Sequence, residues 1–278
     1  MGNRDRIIGL LAGGGAYPEM IASAIKARGL SLACVQVAGE SAVLAKVADY
    51  YHRCAPGAWE RIIATLHTHG VREVIAAGQF SRVQLLASGE TMDALRVPSN
   101  DRRDVPVFEH MVGLLATLGI VLVDQTRFVG DILAPPGVLS ARSPTPAEAA
   151  DLELGRSVAR RMADLDVGQT VVVRRGVILA VEAAEGTDAT IRRGGTMARD
   201  TVVVKVSRPN QDPRFDIPAV GPETIAAMRE VGAVALGIDG RRTLLLDRER
   251  MIAEADAAGI SVVAADLPPL GTPVSAHT

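Results

Sequence analysis

Short apolar runs alternate with amphipathic stretches through the first third of the chain. Residues 6–12 are almost wholly apolar and read as a buried strand. Gly13, Gly14 and Gly15 follow, and then a helical pattern over residues 18–28 that stops at Gly29. Residues 32–37 read as a second strand, 59–69 as a helix ending at Gly70, and 74–77 as a third strand with Gly78 directly after it. Residues 107–118 are helical in pattern, and 120–123 read as a fourth strand. Strands that are apolar throughout and alternate with helices predict a parallel sheet covered on both faces.

The pattern breaks at residues 134–145, where APPGVLSARSPT holds three prolines and Pro146 follows. This reads as a linker. Thr145, Pro146 and Glu148 then form a capping box with proline at the first helical position, predicting a helix to about Leu165. Residues 170–173, 177–181 and 201–206 are β-branched and strand-like. A helix over 222–231 is entered through Gly221. Strands at 233–238 and 243–246 flank an Asp239-Gly240 turn, and a helix over 248–258 precedes a last strand at 261–264. The expected fold class is α/β: an N-terminal Rossmann-like parallel-sheet domain (1–133), a linker (134–145) and a second α/β, mixed-sheet domain (146–278). The ligand site is expected in the crevice between the two domains. The tail after Pro268 is expected to be mobile.

Composition narrows the classes. The 278 residues carry 30 Lys and Arg against 32 Asp and Glu, and 48% are hydrophobic, which excludes a disordered chain. The eight aromatic residues (four Phe, three Tyr, one Trp) and the absent basic excess argue against a nucleic-acid partner. Cys34 and Cys54 match no metal or redox spacing, and no signal-peptide layout opens the chain, so a cytoplasmic location is expected. The longest nearly apolar run, residues 111–123, falls short of the roughly 20 residues of a membrane span. Peripheral contact with the inner membrane surface and a homodimer are both compatible with this surface.

Four clusters carry candidate chemistry. The glycine loop after the first strand suits an anion, through backbone N–H groups and a helix N-terminus, or else is a plain tight turn at a sheet edge. It is neither a P-loop, lacking Gly-Lys-Ser/Thr, nor the dinucleotide fingerprint. Reading from Gly13, the sixth position is Pro18, and Val37 leads to Ala38 and Gly39 instead of an acidic residue. Past the third strand, Gln79, Ser81 and Arg82 can hydrogen-bond a sugar or phosphate. A third stretch sets Glu182, Glu185, Thr187 and Asp188 beside Arg192 and Arg193: carboxylates suit Mg²⁺ and arginines phosphates, although a capped helix with a solvated charged face reads equally well. A fourth, proline-rich stretch places Lys205, Arg208 and Arg214 around Asp212 and Asp216, as metal-assisted phosphoryl chemistry or an ion-paired loop would. His67 and His69 point to opposite faces of their expected helix, and no Ser/His/Asp set is present.

Taken together, GLLAGGGAYPEMIA, AAGQFSR, LAVEAAEGTDATIRR and KVSRPNQDPRFDIPAVG resemble the LpxI-type UDP-2,3-diacylglucosamine pyrophosphatase family over nearly the whole chain. Two positions depart from its pattern: Gln79 stands where asparagine is common and Arg208 where lysine is common. The resemblance implies a hydrolase that cleaves a UDP-linked diacylated glucosamine to UMP and 2,3-diacylglucosamine 1-phosphate in lipid A biosynthesis. It also implies dependence on a divalent cation such as Mg²⁺, an N-terminal nucleotide-binding domain and a C-terminal lipid-binding and catalytic domain. Its catalytic aspartate falls on Asp216. On this reading Asp216 and Asp188 are the catalytic and metal-binding carboxylates. Gly13, Gly14 and Gly15 take the phosphate or uridine side, with Gln79, Ser81, Arg82 and Thr187 as further polar contacts. Arg192, Arg193, Lys205 or Arg214 hold the pyrophosphate. Three alternatives compete: a non-catalytic nucleotide-binding module, an NAD(P)-dependent oxidoreductase, and a hydrolase of a different nucleotide-diphospho lipid or sugar. Tyr17, Phe80 and Phe215 lie inside these segments, where a ring can face a uracil or an acyl chain, or simply fill a gap in packing.

Overall fold

The computed structural model describes residues 6–55, 58–79 and 104–269. The chain divides into two compact units. The first comprises Met1–Gly130 together with Pro213–Asp216; the second comprises Asp131–Asp212 and Ile217–Thr278.

The first unit contains strands β1 (Ile7–Ala12), β2 (Ser31–Gln36), β3 (Tyr50–Arg53), β4 (Glu73–Ala77) and β5 (Val121–Leu122). Its helices are α1 (Tyr17–Ala27), α2 (Ala42–Val47), α3 (Trp59–Thr68) and α4 (Asp104–Thr117). The sheet order is β3-β2-β1-β4-β5 and every neighbouring pair is parallel. β1 and β2 are buried at every position but the first, as their uninterrupted apolar runs require when both faces are covered. Leu11, Val35, Val74 and Ala76 pack with Ile62 and Leu66 of α3 and with Phe108 and Leu115 of α4. From β1 the chain moves outward to β2 and β3, then returns to the other side of β1 with β4. The winding therefore reverses between β1 and β4, where open α/β sheets bind ligands outside their strand ends. β3 was not expected from sequence: it is an edge strand with Tyr50 and Arg53 exposed, so its composition is polar.

The second unit holds a six-stranded mixed sheet, order β6-β13-β11-β9-β7-β8. Its strands are β6 (Gly137–Val138), β7 (Thr170–Arg174), β8 (Val177–Val181), β9 (Val202–Lys205), β11 (Ala235–Asp239) and β13 (Ser261–Ala265). β9, β11 and β13 run parallel, whereas β7 is antiparallel to both β8 and β9, and β6 to β13. A short parallel pair, β10 (Ala219–Val220) with β12 (Leu244–Leu245), lies apart from it. The helices are α5 (Pro146–Asp164), α6 (Thr187–Gly195), α7 (Pro222–Val231) and α8 (Arg248–Ala257). The valine runs of β7 and β9 split by parity. Val171, Val173, Val202 and Val204 pack with Leu152 and Ala159 of α5. Val172 and Val203 pack on the other face with Ile191 of α6, Met228 of α7 and Met251 of α8. The expected class, a parallel-sheet α/β domain followed by a mixed-sheet one, is what the chain forms.

Candidate active site

Beyond β1 the backbone turns and pairs with the end of β4. Gly13 N donates to Ala77 O at 2.8 Å, Gly14 N to Gln79 O at 2.9 Å, and Gln79 N to Gly14 O at 2.8 Å. The approach leaves no room for a side chain at Gly13, where a Cβ would stand 2.6 Å from Gln79 O. Two of the three glycine amides are thus engaged inside the protein. Helix α1 starts immediately afterwards, with Ala16 as an N-cap that supplies no side-chain acceptor. Its first amides have no acceptor within the helix, and its positive dipole end faces the turn.

A short 3-10 turn, Gln125–Phe128, follows β5, with Asp124 Oδ1 accepting from Thr126 N at 2.6 Å. Gln125 is 5% exposed. Its Nε2 donates to Ala76 O at 2.6 Å and to Arg214 O at 3.3 Å. Its backbone N donates to Pro213 O at 3.0 Å, and its carbonyl accepts from Tyr17 Oη at 3.1 Å. Burial, reinforced by the charge of Asp124, pushes the Tyr17 phenol above its ordinary value and keeps it a donor. Phe215 stacks on Phe108, with ring centroids 4.3 Å apart, and the Arg214 guanidinium lies 5.8 Å from the Phe108 centroid. Asp216 follows in the left-handed region at φ +45°. Arg214 and Asp216, candidates from the far end of the sequence, therefore belong to the same unit as the glycine turn.

In the second unit the register aligns Thr170 with Lys205, Val171 with Val181 and Ile238 with Lys205, so the carboxyl ends of β8, β9 and β11 share one edge. Glu182, just past β8, is buried and accepts from Thr187 Oγ1 at 3.0 Å. Thr187 opens α6, and Asp188 lies in its first turn. Lys205 Nζ donates to Ala219 O at 2.9 Å. Further along α6, Arg193 pairs with Glu185, and Arg192 Nε donates to Glu230 at 2.7 Å. On the same edge Asp239, fully buried, accepts from Ser207 N at 2.8 Å, Ser207 Oγ at 3.1 Å, Arg156 at 3.1 Å and Arg160 at 3.3 Å. Four donors around one carboxylate satisfy a charge that would otherwise be costly to bury.

Gly13, Gly14, Gly15, Gln79, Arg214 and Asp216 belong to the first unit, and Thr187, Asp188, Arg192, Arg193 and Lys205 to the second. Phe80, Ser81 and Arg82 lie outside the described residues. The sequence reading missed Gln125, for which the available signal was a polar pair, Asp124-Gln125, directly after an apolar strand. The expected Asp239-Gly240 turn is present, with Thr243 N donating to Asp239 O at 3.1 Å; not legible was that the Asp239 side chain holds Ser207 at the head of the loop leading to Asp216. Among the described residues no three His, Cys, Asp or Glu side chains form a metal cage. Mg²⁺ binds through one or two carboxylates completed by water and substrate phosphates; Asp216 in the first unit and Asp188 in the second each offer oxygen donors of that type.

Residues 7–132 match the family model described as the LpxI N-terminal domain, and residues 135–263 match the LpxI C-terminal domain. The chain belongs to the LpxI family. A curated relative, UDP-2,3-diacylglucosamine pyrophosphatase LpxI of Caulobacter vibrioides, is 32% identical over 281 residues, spanning 94% of this chain and 98% of the relative. Among solved structures, glycinamide-RNase-transformylase T from Mycobacterium tuberculosis aligns over 64% of this chain and 44% of its own, at 16% identity and a TM-score of 0.26. N5-carboxyaminoimidazole ribonucleotide synthetase from Thermotoga maritima aligns over 64% and 42%, at 16% identity and a TM-score of 0.25. Scores this low bear on neither the fold nor the site.

Proposed function

We propose that this chain hydrolyses the pyrophosphate of UDP-2,3-diacylglucosamine, releasing UMP and 2,3-diacylglucosamine 1-phosphate for lipid A synthesis. Membership of the family and the name of the Caulobacter relative, which aligns nearly end to end, support the reaction. The structural observation that carries the reading is the placement of Asp216. Its segment is built into the parallel-sheet unit and tied through Gln125 to the end of β4 and to α1.

Hydrolysis of a pyrophosphate requires neutralised charge at phosphorus, an oriented water and a stabilised leaving phosphate. Asp216 is the carboxylate assigned to orient the water. A divalent cation such as Mg²⁺, when bound, would draw charge from the phosphate oxygens; its candidate ligands are Asp216, a residue of the first unit, or Asp188, a residue of the second. The amides opening α1 beside Gly15 would face the nucleotide phosphate, because those of Gly13 and Gly14 are already engaged. Lys205, Arg214, Arg192 and Arg193 are the candidate cations for the pyrophosphate. Arg192 and Arg193 sit in exposed ion pairs, which water screens, so exchanging a carboxylate partner for a phosphate costs little. Among the described residues no helix is long and apolar enough to cross a membrane. The acylated substrate itself would bring the protein to the inner membrane surface.

The test is UMP release in the presence of Mg²⁺ by the wild type and by Asp216→Ala. Turnover is expected to fall by about 100-fold or more in a folded variant. Near wild-type turnover would remove Asp216 from the chemistry.

A further inference from the structure

Gln125 belongs to none of the motifs that suggested the function, yet it joins three segments that are remote in sequence. Its side-chain amide has two hydrogens, and both are used: one on Ala76 O of β4, the other on Arg214 O. Its backbone N–H reaches Pro213, and its carbonyl takes the Tyr17 hydroxyl from the first turn of α1. Asp216 lies two residues beyond Arg214, in a left-handed conformation that aspartate adopts more readily than most non-glycine residues. The stacking of Phe215 on Phe108 fixes the depth of this segment, but stacked rings can slide over one another. Hydrogen bonds to two successive carbonyls, of Pro213 and Arg214, fix its register.

We propose that Gln125 is a positioning residue for the hydrolysis: through Arg214 and Pro213 it holds the Asp216 carboxylate in register with the glycine turn and the start of α1. This rests on the assignment of Asp216 to the chemistry. The neutral amide of Gln125 meets two carbonyls at once, a buried one on Ala76 and a half-buried one on Arg214. An apolar side chain at this position offers neither donor, and a carboxylate repels both carbonyls.

Steady-state kinetics of UMP release from UDP-2,3-diacylglucosamine test the proposal, at a temperature where circular dichroism shows each variant folded. Gln125→Met, of similar size without donors, is expected to lower kcat by about 10- to 100-fold while KM stays within about twofold. In Gln125→Glu, kcat relative to the wild type is expected to rise as pH falls from about 8 to about 6, because the protonated acid regains a donor for Ala76 O. An unchanged kcat in Gln125→Met, or a pH-independent ratio in Gln125→Glu, would overturn it; if Gln125→Met does not fold, the pH profile decides alone. Asp216→Asn separates the two levels. If it keeps activity, the site assignment fails. If it is inactive while Gln125→Met turns over normally, only the positioning role fails.

Discussion

A methyl group at position 78 would stand 2.7 Å from Gly14 O and 2.7 Å from Pro18 Cγ, on a backbone with φ of +98°. Gly78→Ala therefore combines a clash with a disallowed conformation, and denaturant unfolding is expected to show a loss of about 1–3 kcal/mol. A loss below about 0.5 kcal/mol would mean that the turn relaxes freely. The glycines were legible in the sequence as a phosphate loop or a tight turn, but their partners were not. Two of their amides serve the protein's own backbone, and that depends on Ala77 and Gln79, more than sixty residues away. Asp239 was legible only as a turn, because Asp-Gly is a turn signal and nothing local announces Arg156, Arg160 and Ser207. Gln125 left no trace beyond its place after a strand, since its partners lie at residues 17, 76, 213 and 214.

Signals confined to a few residues survived best at the level of elements. The capping box of α5 is present as read: Thr145 Oγ1 accepts from Glu148 N at 3.3 Å, and Glu148 Oε2 accepts from Thr145 N at 2.9 Å. Thr145→Ala is expected to cost about 1 kcal/mol in equilibrium unfolding, with Thr145→Ser close to wild type. Equal losses in both variants would contradict the capping role. The valine-rich strands of the second unit were legible as strands. Which valines face α5 follows only once parity is set against both cores. β3 escaped notice because an exposed edge lacks the apolar run used as the signal, and β6 and β10 because two residues make no pattern.

For the molecule as a whole, the order of elements and the class of each sheet could be read from the pattern of apolar runs. The return of Pro213–Asp216 to the first unit could not, because it depends on tertiary hydrogen bonds and one stacked ring pair. Each unit also carries an acid-sensitive pair. Burial alone would raise Glu73 and Glu148, but hydrogen bonds from Arg6 and Arg127, and from Arg142, outweigh it and hold both carboxyls below their ordinary value. A carboxyl depressed in the folded state stabilises it at neutral pH, and that contribution disappears as pH falls below the unfolded value towards the folded one. The stability gap between wild type and Glu148→Gln is therefore expected to shrink between about pH 7 and about pH 3. A gap that widens on acidification would reverse the sign argued here.

The reaction itself admits the most direct test. Purified wild-type protein incubated with UDP-2,3-diacylglucosamine and Mg²⁺, with products read by mass spectrometry, is expected to yield UMP and 2,3-diacylglucosamine 1-phosphate in equal amounts. Intact substrate, or UDP with the free sugar, would contradict pyrophosphate hydrolysis.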